Sequence, residues 1–257
     1  MKNIIIRADD LGYSKGVNYG IYESVKHGLI KNVGLMVNMK DTLHGLNLLK
    51  EFDLDIGMHT VICAGKPLTD PKKISSLVTS DGSFKPSKVY RTTDHDVVNL
   101  DEVIVEIEAQ YQYFLKIVGK KPDYFEAHAV YSANLVKGLE VVAERHNLPL
   151  LPFDLDLNPV KFKKNTTITT FTSFMDSTKP TYDPYSVFAR TIEFALANSS
   201  NNVPMMVCHP GYLDQSIIQQ SSLTIPRTQE VDFLCDPKEA QEIEEKGLHL
   251  ARYTELS

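Results

Sequence analysis

The 257-residue chain has no tryptophan and only three cysteines. Cys63, Cys208 and Cys235 are odd in number, far apart and without CxxC spacing. A disulfide framework is therefore not expected. The three read as core or near-core thiols of a reducing compartment, and the expected location is cytoplasmic. Long hydrophobic runs are also lacking. The first apolar run, Ile4, Ile5 and Ile6, stops at Arg7 and Asp9, too short for the apolar region of a signal peptide. No stretch approaches a membrane span. Positive charge is not in excess either. The net charge is −6 and the lysines and arginines are dispersed, so no basic stripe suggests nucleic acid. No repeat, low-complexity segment or glycine-rich phosphate loop is present.

What the sequence does contain is a regular alternation. Ile4, Ile5 and Ile6 are consecutive β-branched residues, as in a strand buried on both faces. Residues 13–28 read as a helix capped by Ser14, with Val17, Ile21 and Val25 on one face. Strand-like runs recur at 33–37, 54–58, 122–125, 148–151, 166–171 and 203–207. Helical spacing recurs at 42–52, 100–118, 135–146, 184–198 and 237–246. Residues 248–256 end the chain as a strand or terminal helix. Alternation of this kind points to α/β with a parallel sheet. The length suits one domain, residues 1–257. The expectation is a single (β/α) barrel, with room for irregular closure or fewer than eight strands. Its active site would lie at the C-terminal ends of the strands. Residues 63–98 break the pattern with Gly65, Pro67, Pro71, Asp81-Gly82 and Pro86. They read as an inserted, lid-like segment at the rim of the site.

The first strand ends at two adjacent carboxylates, Asp9 and Asp10. A polar turn with a capping aspartate is the plain reading. Ionised carboxylates at the end of a buried strand otherwise need a cation. His59, His128 and His209 each follow a short strand-like run in the same way, so the barrel would bring all of these groups to one face. One carboxylate and two imidazoles make an open metal site, with positions left for water and substrate. A metal there polarises a carbonyl and acidifies water. Asp9 would take the proton of the water, and His209 would protonate the leaving group. That set hydrolyses an amide or ester without a covalent intermediate. His209 is expected to titrate near neutral pH, with a nearby carboxylate fixing its tautomer. Asp94-His95-Asp96 reads as a solvated turn.

Ala8-Asp9-Asp10-Leu11-Gly12, Ile56-Gly57-Met58-His59, Gly65-Lys66-Pro67-Leu68, His128 and Cys208-His209-Pro210-Gly211 together resemble the YdjC-like carbohydrate deacetylases, which include the chitooligosaccharide deacetylases. Pro226-Arg227-Thr228-Gln229-Glu230 resembles a late segment of that family. The resemblance implies an enzyme that deacetylates N-acetylated sugars or oligosaccharides on a (β/α) barrel with one divalent metal ion. Asp10, His59 and His128 would be the ligands, Asp9 the base and His209 the acid. Arg227 would orient a carboxylate or bind substrate. The resemblance names magnesium, while two imidazoles and one carboxylate suit zinc, cobalt or manganese better. One departure stands out: of several histidines the family often carries near here, Glu126-Ala127-His128-Ala129-Val130-Tyr131 keeps one. The competing readings are a catalytically weakened sugar-binding homologue and a metal phosphoesterase. The expected partner is a small sugar, without nucleic acid or membrane, and a homodimer is the default oligomer.

Overall fold

The computed structural model describes residues 1–152, 158–172 and 182–257. The elements, in chain order, are β1 (Lys2–Leu11), α1 (Lys15–Lys26), β2 (Asn32–Leu35), α2 (Thr42–Leu49), β3 (Asp55–Thr60), α3 (Ser87–Thr92), α4 (Leu100–Val118), β4 (Phe125–Ala127) and α5 (Ala133–His146). They continue with β5 (Val160–Lys163), β6 (Thr166–Thr172), α6 (Pro184–Ala197), β7 (Asn202–Cys208), α7 (Gln215–Gln220), α8 (Ile225–Leu234), α9 (Pro237–Glu245) and β8 (Leu248–Leu250). The sheet runs β4-β3-β2-β1-β7-β6-β5, with β8 beside β1. Every pairing is parallel except β5 on β6. Among the described residues the edge strands β4 and β5 do not pair with each other, so the sheet is a curled half-barrel. This is the irregular (β/α) barrel expected from the alternation.

β1 is central because its neighbours change along its length. Lys2, Asn3 and Ile4 pair with β8, whereas Arg7, Ala8 and Leu11 pair with β2. β7 lies along the other side. Side chains of a strand alternate between faces. Ile4, Ile6 and Ala8 accordingly join the main core, shared with Val17 and Ile21 of α1 and Val103 and Ile107 of α4. Ile5 faces a second cluster with Tyr124, Phe162, Met205 and Tyr253. Arg7 and Asp9 follow Ile5 on that face. Asn32 bridges the point where β1 changes partner: its amide donates to Ala251 O at 3.0 Å and its oxygen accepts from Tyr253 N at 3.1 Å. The Tyr253 ring lies 4.3 Å from that of Tyr124 and 5.3 Å from that of Phe162.

Most elements form where periodicity places them. Ser14 caps α1, and α4 runs from Leu100 to Val118 and stops at Gly119. The structure departs from the periodicity in several places. Residues 148–151 form no strand, only a single parallel bridge from Leu150 to Phe125. β5 and α7 are additional. So is α8, whose buried face carries Arg227 and Glu230 among its apolar residues and so hides the helical stripe. Residues 63–98 are well anchored. Ile74 and Leu77 are fully buried, and the backbone N–H groups of Leu68, Thr69 and Ser76 donate to Glu106 and Glu102 of α4. The turn at Asp81-Gly82 is flanked by an antiparallel bridge from Val78 to Phe84.

Tyr253→Ala should cost about 3–5 kcal/mol, the range for deleting a buried aromatic ring. Urea unfolding of the variant checks it. A loss below about 1 kcal/mol would show that the ring only lines the interior without supporting it.

Candidate active site

Asp9, Asp10 and His59 lie within the last residues of β1 and β3, and His128 and His209 directly follow β4 and β7. The parallel sheet therefore gathers them at one end. Asp10 Oδ1 is 3.0 Å from His128 Nδ1 and 3.4 Å from His59 Nε2, and the two ring nitrogens are 2.9 Å apart. The three donor atoms lie within 4.8 Å of one another. Asp10 has φ = 76°, a left-handed conformation that a non-glycine residue rarely adopts. That strain is held in place by the neighbouring contacts, as is common where geometry serves function.

Each donor is aimed by a second group. Asp10 Oδ2 accepts from Arg227 Nη2 at 2.6 Å, which leaves Oδ1 buried and without a hydrogen-bond partner. His59 Nδ1 contacts Glu126 Oε1, so Nε2 is presented to Asp10 and His128. Asp9 Oδ2 accepts from Arg7 Nη2 at 2.6 Å, and its Oδ1 is again buried and unpartnered. Gly34 makes room for that oxygen: a Cβ there would sit 2.6 Å from it. An orphaned carboxylate oxygen facing two aimed imidazole nitrogens is a donor set that fits one divalent cation.

Burial works against charge here, and the partners overcome it. Burial raises the Asp10 carboxyl, yet Arg227 and His128 hold it well below the ordinary carboxylate range. Burial lowers His59, but Glu126 and Asp9 carry it well above the ordinary histidine value. His128 is likewise pulled down by burial and brought up by Asp10 to about 9. His209 differs from expectation. Burial pushes it down to about 4, because the pull of Asp10 and Asp9 does not offset its desolvation. It is neutral at neutral pH rather than half-titrated.

The carboxylate expected beside His209 is Glu230, but it holds the backbone: His209 N donates to Glu230 Oε2 at 2.5 Å, and Tyr182 Oη donates to Oε1. Burial raises Glu230 to about 7. Arg227 donates to the Asp10 carboxylate. The side chain is 2% exposed, and its donors go to Asp10, to His209 O at 3.2 Å and to Leu223 O at 3.0 Å. Arg7, Glu126 and Glu230 had no role assigned from sequence. Arg7 left a signal, since a residue two before Asp9 on a strand shares its face. Glu126 left a similar one, two residues before His128.

A carbohydrate deacetylase of Clostridium beijerinckii is 33% identical over 261 residues, covering 98% of this chain and 99% of the relative. A chitooligosaccharide deacetylase of Yersinia enterocolitica is 29% identical over 259 residues, covering 99% of each. Among solved structures, an Enterococcus faecalis protein provisionally named for cellobiose-phosphate cleavage superposes with a TM-score of 0.82 at 25% identity, over 98% of this chain and 97% of its own. A family 4 carbohydrate esterase from Streptomyces lividans shares the fold at a TM-score of 0.54 and 11% identity, over 97% of this chain and 92% of its own. Among the described residues, no helix is long and apolar enough to cross a membrane. The model of the YdjC-like protein family matches residues 3–245, from the strand of Asp9 and Asp10 through the helix of Arg227, and the chain belongs to that family.

Proposed function

We propose that this protein is a metal-dependent deacetylase that hydrolyses the acetamido group of N-acetylated sugars or oligosaccharides. The observation that carries this reading is the convergence of Asp10, His59 and His128, with Asp10 Oδ1 buried and facing two ring nitrogens. The Clostridium and Yersinia relatives, named as carbohydrate and chitooligosaccharide deacetylases, supply the substrate class. A divalent cation held by those three residues would polarise the acetyl carbonyl and lower the pKa of an attacking water. The donor set favours zinc, cobalt or manganese over magnesium, which prefers an oxygen shell.

The protein residues divide the proton work. Asp9 accepts the proton of the water at Oδ1, while Arg7 keeps Oδ2 engaged. His209 delivers a proton to the leaving nitrogen, because an amine anion is a very poor leaving group. Being neutral at the start, it donates only after receiving the proton that Asp9 took from the water, so that one proton passes from Asp9 through His209 to the leaving nitrogen and Asp9 is regenerated as the base. Arg227 and Glu230 hold the two peptide groups on either side of its imidazole. Residues 1–257 act as one catalytic domain, and residues 63–98 form a fixed rim. Arg91 in that segment donates to Ala129 O, next to His128.

Acetate release from N-acetylated mono- and disaccharides and their phosphate esters, with each metal in turn and with chelator, tests the activity directly. No release with any metal would remove the deacetylase reading. His209→Ala should lower kcat by about 10²–10⁴-fold, the range for an acid–base group, with the metal content unchanged. Loss of the metal would place His209 among the ligands instead.

The metal-free protein should also respond to pH. A histidine with a raised folded pKa stabilises below its unfolded value of 6.5, and that contribution disappears as pH rises through the folded value, about 9 for His128. Metal-free thermal stability should therefore fall across that interval. Divalent-ion affinity should rise over the same range, because the ion displaces protons from His59 and His128. Calorimetry in buffers of different ionisation enthalpy reads the released protons. Affinity independent of pH would show that the imidazoles are not ligands.

A further inference from the structure

His59 presents its other ring nitrogen to a second set of donors. Asp9, His59 and Glu126 also place three donor atoms within 4.8 Å of one another, and all three residues are buried. On donor type and spacing this set resembles the first. It differs in what fills it. The guanidinium of Arg7 lies 2.6 Å from Asp9 Oδ2 and 3.7 Å from Glu126 Oε2. It sits over the Tyr124 ring, 5.4 Å from its centroid, and its Nη1 is 3.4 Å from Tyr253 Oη. A guanidinium in this position is a permanent positive charge, since arginine does not lose its proton in proteins. A metal ion entering the same cluster would meet like charge at short range in a buried site.

We propose that Arg7 occupies the seat of a second metal ion, so that the centre binds one ion and no more. The proposal rests on the reading of Asp10, His59 and His128 as the metal ligands. The substitution has a chemical consequence for Asp9. A metal ion on Asp9 would draw on the lone pairs of the carboxylate and weaken it as a base. The guanidinium instead holds Oδ2 by a hydrogen bond and leaves Oδ1, in the space beside Gly34, able to accept a proton. Arg7 is thus a positioning residue: it acts through Asp9 and through the stoichiometry of the centre.

The test is an ion count on metal-depleted protein titrated with zinc or manganese, read by calorimetry and by elemental analysis after gel filtration. The wild type and R7K should bind one ion per chain, and R7M should bind two. The second ion should disappear in the double variant R7M/E126Q. The melting temperature of R7M should keep rising through the second equivalent, whereas that of the wild type should level off after the first. Two ions in the wild type, or one ion in a folded R7M, would overturn the proposal while leaving the deacetylase reading intact. No ion in any variant would overturn both. Should R7M fail to fold, the uncharged R7Q takes its place: two ions should bind, and one ion in folded R7Q would overturn the proposal. In R7K the ammonium keeps the charge but not the planar fork, so with one ion bound kcat should fall about tenfold or more at unchanged KM; wild-type kcat there would overturn the positioning role of Arg7.

Discussion

Asp9 and Asp10 leave water together at the end of β1, and each takes a guanidinium with it. Burying an ionised carboxylate alone costs several kcal/mol, so neither could stay charged in this position without a partner. The two partners arrive by different routes. Arg7 comes from the same strand, two residues back, and reaches Asp9 from the barrel interior. Arg227 comes from α8 and reaches Asp10 across the mouth of the sheet. Each pair engages one carboxylate oxygen and leaves the other buried and unpartnered. Charge compensation is therefore deliberately incomplete in geometry, and the two free oxygens are where chemistry can be done.

The rest of the centre is arranged around those oxygens. The left-handed backbone at Asp10 turns its carboxylate toward His59 and His128 while Asp9 keeps to the interior face with Arg7. Adjacent residues thereby serve two different environments. α8 then ties one environment to the next. Arg227 and Glu230, three residues apart and on one face of the helix, bond the carbonyl and the N–H of His209. A single helix thus sets both the Asp10 carboxylate and the backbone of the proposed acid.

Much of this was legible from sequence because it follows from strand ends. Isoleucine runs, a spacing of four along helices and polar residues at the ends of apolar runs are local signals. A parallel sheet turns those local signals into a common location. What sequence did not reveal depends on facing partners. Nothing local marks Glu230 as the group beneath His209, and α8 itself lacks a clean apolar stripe because its inner face is charged. The ionisation of His209 escapes the sequence for the same reason: its desolvation depends on what covers it, which no spacing encodes. Residues 148–151 have strand-like composition, but only Leu150 finds a partner, and a strand needs a ladder.

The pairing of β1 with β8 bears on how the protein is made. β1 precedes the other described strands in the chain, yet β7 and β8 on its flanks, and the Tyr253 that packs under Arg7, belong to the last quarter of the 257 residues. Contacts of that sequence separation form late, since loop closure precedes their reward. Until α8 is made, Asp10 lacks the guanidinium that offsets its burial, so a chain released before that point keeps this carboxylate in water. Such a chain also leaves an isoleucine-rich strand with unpaired edges open to aggregation.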